Sequence, residues 1–157
     1  MHSKLKLKSV GFIILLITHV LYANGSDSPL ADPTTYVLAK LKDYDLVMIG
    51  EHHWLKEEPA FLNTLLRRCY EHQAINFLFL ELGDFAYQKN IDTFLEAKEY
   101  DPKPVIEMLR NSETMGWGYQ EYFDLFRTIY FENQAKPKSA RIRIILVDGP
   151  PLTLNLD

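Results

Sequence analysis

Three short apolar runs, each closed by a carboxylate, set the frame of this chain. Leu46-Val47-Met48-Ile49 runs into Gly50-Glu51, Ile75 to Leu80 runs into Glu81, and Ile142 to Val147 runs into Asp148. Such compact runs, bounded by breakers, predict strands buried on both faces of a sheet. Between them lie stretches of helical period. Thr34 to Lys42 carries Val37, Leu38 and Leu41 on one side. Pro59 to His72 repeats Phe61, Leu62, Leu65, Leu66 and Cys69 at helical spacing, with Pro59 suited to a first turn. Tyr87, Ile91, Phe94 and Leu95 mark another helix, Pro102 to Arg110 a short one, and Tyr122, Phe123, Phe126, Ile129 and Tyr130 a strongly amphipathic one.

Strands alternating with helices imply right-handed crossovers, hence an α/β fold with a parallel β-sheet and flanking helices. Only three strands are legible. A sheet that small leaves bare edges, and the apolar faces of Ile142 to Val147 are expected to be partly uncovered. After Asp148-Gly149-Pro150 the chain shows no helical period. The expectation is the N-terminal half of a larger domain, dependent on further strands and open to self-association.

The first residues carry a different signal. Lys4, Lys6 and Lys8 precede the apolar run Gly11 to Leu21, and Ala23 precedes the polar Asn24-Gly25-Ser26. That order is a signal peptide over residues 1–23, with the mature chain starting near Asn24 in a periplasmic or secreted setting. The run is too short to span a bilayer, which takes about 20 apolar residues. Residues 24–33, with Pro29 and Pro33, read as a linker, and 34–157 as the domain.

Charge narrows the partners. The chain has 17 Lys+Arg against 21 Asp+Glu, net −4, and three of the lysines lie in the leader, which leaves −7 for the rest. An acidic domain offers no basic face for nucleic acid. The single cysteine, Cys69, cannot form an internal disulfide and falls on the apolar stripe of a helix, where it reads as a small buried hydrophobe.

The acidic tips are the candidate chemistry. In open parallel sheets ligands bind beyond the carboxyl ends of the strands. Glu51, Glu81 and Asp148 would therefore share one rim, with His52 and His53 beside the first. Acids and an imidazole ligate a divalent metal or form a general acid/base set. Adjacent His52 and His53 point different ways, so one of them is expected to enter the site.

Gly50-Glu51-His52-His53 after a strand resembles the opening of the ChaN-like, haem-binding-uptake and Tiki superfamily, whose hallmark is a strand followed by Gly-x-x-His, often Gly-Glu-x-His. Gly50, Glu51 and His53 are the matching positions. A second match is Phe79-Leu80-Glu81, then Gln88 and Ile91-Asp92-Thr93-Phe94-Leu95. A third is Gly116-Trp117-Gly118, Tyr122, and the strand leading to Asp148-Gly149-Pro150-Pro151. Erythromycin esterase-like proteins share the plan more distantly. Trp54 departs from the Asp that often follows the motif's His.

The resemblance implies a haem- or metal-linked role, or a metal-dependent hydrolase of the peptidase or esterase kind. In the first, Trp54, Trp117 and Tyr122 would wall a haem pocket. In the second, Glu51 and His53 would bind a metal or activate water and Glu81 would orient or ligate, with Asp148 nearby.

Overall fold

The computed structural model describes residues 12–15, 32–52, 55–111 and 120–149, with 12–15 as backbone only. The predicted helices are all present: α1 (Pro33–Asp43), α2 (Glu57–His72), α3 (Gln88–Glu96), α4 (Lys103–Asn111) and α5 (Gln120–Gln134). Local chemistry sets their ends. The Asp32 carboxylate caps α1, accepting from the Thr35 N–H at 2.8 Å and from its hydroxyl at 2.7 Å, and Pro33 takes the first helical position. Glu57 and Glu58 occupy the first turn of α2, where the helix dipole favours anions, and Gln73 ends it in the left-handed conformation, φ 49°.

The sheet differs from expectation in one respect. Besides β2 (Leu46–Ile49), β3 (Phe77–Asp84) and β4 (Arg143–Asp148), it contains β1, Phe12–Leu15, from within the apolar run Gly11 to Leu21. The order is β2-β1-β3-β4 and every pairing is parallel. An apolar, β-branched tetrapeptide satisfies both a leader and a buried strand, so composition does not separate the two. The α/β class with a parallel sheet stands, with four strands among the described residues rather than three.

β3 is longer than its apolar run. It continues past Leu80 to Asp84, so Glu81 lies within the strand and not at its tip. The pairing with β4 shifts between Leu80 and Asp84, and Gly83 sits there at φ +99°. Only glycine adopts that conformation readily, and a Cβ at Gly83 would lie 2.6 Å from the Met108 sulfur.

One apolar cluster joins Leu65, Leu66 and Cys69 of α2 to Leu78, Leu80 and Leu82 of β3, Leu125, Phe126 and Ile129 of α5, and Ile144 and Leu146 of β4. Cys69 is fully buried, as expected of a small hydrophobe, and burial pushes its thiol up to about 12. Two amide side chains tie β4 down. Asn133 donates to the Ile142 carbonyl at 2.8 Å, and its Oδ1 accepts from the Ile142 N–H at 2.9 Å and the Tyr70 hydroxyl at 2.8 Å. Gln88 donates to the Ile144 carbonyl at 2.9 Å and accepts from the Leu146 N–H at 2.8 Å. It occupies the place of a neighbouring strand on the outer edge of β4. Ile144 and Leu146 are buried, so the expected bareness of this strand falls on half-buried Ile145 and exposed Val147.

Candidate functional site

Glu51 follows β2 by two residues and is 7% exposed, although it carries a carboxyl group. Such burial needs a partner. The Tyr122 hydroxyl, on the first turns of α5, donates to Glu51 Oε1. The helical period that buries Leu125, Phe126 and Ile129 also turns Tyr122 inward, so core packing aims the phenol at the carboxyl. Around the pair is a small cavity of about 100 Å³, lined by Ile49, Gly50, Pro59, Phe61 and Leu62 among others.

The electrostatics follow from this placement. Burial, and then the nearby Glu58 and Glu81 carboxylates, push the Glu51 carboxyl from 4.5 to about 7. At neutral pH it is poised between its two protonation states. Glu58 also accepts from the His52 N–H at 2.7 Å, which ties the chain just after Glu51 to the first turn of α2. Perturbed carboxyls in partly enclosed pockets are a mark of functional sites.

The sheet order decides how the acids relate. β1 lies between β2, which Glu51 follows, and β3, which carries Glu81, so those two strands are about 10 Å apart, at roughly 4.8 Å per strand spacing. Glu81 thus acts on Glu51 through charge. Asp148 ends β4, a further strand away, and accepts from the Gly149 N–H at 2.9 Å. Tyr122, expected as a pocket wall, is the direct partner of Glu51. His53, Trp54 and Trp117 lie outside the described residues. Among the described residues no three His, Cys, Asp or Glu side chains stand close enough to hold a metal.

Glu58 was not singled out in the sequence. Its pairing with Glu57 before Pro59 is the usual acidic start of a helix, and only the fold turns it toward Glu51. Two larger grooves, of about 420 and 500 Å³, include none of Glu51, Glu58, Glu81 or Tyr122. No described helix is long and apolar enough to cross a membrane. Comparison with family models, curated proteins and solved structures finds no match.

Proposed function

We propose that this chain carries a hydrolytic acid–base site of the kind its likeness to the ChaN-like and erythromycin esterase-like proteins implies. One observation carries the reading: a buried carboxyl raised to about 7 and held by a tyrosine hydroxyl in a small pocket. A group titrating near the working pH exchanges a proton at least cost, so Glu51 suits a general acid/base. Tyr122 fixes the orientation of the carboxyl and favours its anionic form.

The test is hydrolysis of para-nitrophenyl acetate across a pH series. The rate should show an inflection near 7. Glu51→Gln should lower it by about 10²-fold or more. Tyr122→Phe should move the inflection upward, because the carboxylate loses a donor. An unchanged rate in Glu51→Gln sinks the proposal.

A second reading, a divalent-metal site, draws on the charge crowding of Glu51, Glu58 and Glu81. A cation would relieve it, and His53 would have to complete the ligand set. Such an ion, when bound, supplies a water that ionises near neutral pH. Calorimetric titration with Zn²⁺ alone, repeated in Glu51→Gln, tests this. A haem- or iron-binding role asks more of the site. A cavity of about 100 Å³ falls short of the roughly 300–1,000 Å³ of ligand pockets, so the remaining wall would come from residues such as Trp54 and Trp117. A small-molecule ligand and an exported setting complete the proposal, the latter on Lys4, Lys6, Lys8 and the apolar run. Exposed Leu46 and Met48 on β2 support self-association there.

A further inference from the structure

The backbone of residues 12–15 fills a gap between two strands that share one register. Phe12 pairs with Leu46 on one side and with Phe77 on the other, Ile13 with Val47 and Leu78, and Ile14 with Met48 and Phe79. β2 and β3 are therefore aligned residue for residue across the inserted strand. β1 is the only strand that β2 pairs with among the described residues. The same four residues sit in the first half of the apolar run that reads as an export leader. A segment cannot both leave with a leader and stay in the sheet.

We infer that the gap between β2 and β3 is an acceptor slot for an extended apolar strand, that its occupant is residues 12–15 of this chain, and that β2 closes onto β3 when they withdraw. Closure needs no change of register. Leu46 would face Phe77, Val47 would face Leu78, and Met48 would face Phe79. The unpaired backbone groups left on β2 and β3 would satisfy one another, which is what makes the closed sheet a stable alternative. The connection from β2 to β3 runs through α2, an ordinary crossover for adjacent parallel strands.

Closure has a consequence for the acids. With the slot filled, β2, which leads into Glu51, and β3, which carries Glu81, are about two spacings, or 10 Å, apart; with it closed the two strands are adjacent, about 4.8 Å apart, and the acids draw closer. The leader strand thus separates two carboxylates that the sequence pattern places in one site. This second step rests on the reading of Glu51 as the site residue, whereas the slot itself does not.

Disulfide trapping in the full, unprocessed chain tests the slot and its closure. A disulfide needs Cα atoms within about 7 Å, a distance met by adjacent strands and exceeded across two spacings. Cys69, the native cysteine, is fully buried and does not compete. With Ile13→Cys and Val47→Cys, the cross-link should form in high yield. With Val47→Cys and Leu78→Cys it should not form while the slot is filled. Adding Ile14→Pro, which removes a backbone donor from the inserted strand, should make the second cross-link appear. Helical circular dichroism checks that this last variant remains folded. Failure of the first cross-link, or ready formation of the second with the leader strand unaltered, overturns the slot. A folded Ile14→Pro variant that still lacks the second cross-link overturns the closure. None of these readouts depends on hydrolysis or on a ligand, so a wrong functional reading leaves the result intact.

Discussion

The two halves of the sheet are built differently. β3 and β4 are six to eight residues long, pair along most of their length, and are pinned by Asn133 and Gln88 as well as by the ladder. β2 is four residues long, leaves Leu46 and Met48 exposed, and pairs with β1 alone among the described residues. The strongly held half carries the core. The weakly held half carries Glu51. Local stability is uneven in proteins, and elements that must move are drawn from its low end. The candidate site hangs from the part of the sheet that costs least to rearrange.

Breaking the strong half should have the largest effect. Asn133→Ala removes the bonds to both backbone groups of Ile142 and to Tyr70, all of them buried. The expected loss is about 3 kcal/mol by urea unfolding. A loss below about 0.5 kcal/mol would show that β4 does not depend on this staple.

Glu51→Gln probes the weak half and should stabilise it, with a sign that depends on pH. The folded carboxyl titrates at about 7 and the unfolded one near 4.5. Between these values the folded chain holds more protons, so stability falls as pH rises through the window. Above it the charged form is held at a cost, while below it the proton is on in both states. The amide, always neutral, should therefore add about 2 kcal/mol at about pH 8 and almost nothing at about pH 4. A gain that is equal at both ends would assign the effect to packing.

Gln88→Ala should cost about 1 kcal/mol, less than Asn133→Ala, because its bonds are only part-buried. Hydrogen exchange should quicken at Leu146, whose N–H loses its acceptor, and leave β2 unchanged. Met48→Lys, on the exposed side of β2, should stay within about 0.5 kcal/mol of the parent. A larger loss there would mean that β2 contributes to the core after all, and the contrast between the halves would narrow.

Much of this architecture was legible because the signals were redundant. α2 is marked by its apolar repeat and its Pro59 together, and α5 by a stripe of large side chains. β1 was hidden because an apolar tetrapeptide in a lysine-flanked run has a complete explanation as a leader. The extent of β3 is not legible, because Glu81 looks like a terminator. In a strand, however, alternate residues face opposite ways, and Leu80 and Leu82 stay buried while Glu81 does not. Glu51 and Tyr122 were both singled out, but on different grounds, and no spacing rule joins positions 71 residues apart. Their union depends on how α5 packs against α2, the helix that follows Glu51. Glu58 escaped for the opposite reason: its local role at a helix start was sufficient.

Cys69 gives the molecule an internal clock. It is the chain's one thiol, it has no exposed surface, and burial holds it at about 12, where almost none is thiolate at neutral pH. An alkylating reagent in the surrounding solution cannot reach it while α2 stays docked on the core. Each labelled molecule therefore records that the helix has come away at least once. Motion confined to the strand beside Glu51 goes unrecorded, so the labelling rate separates rearrangement of the site from dissolution of the fold.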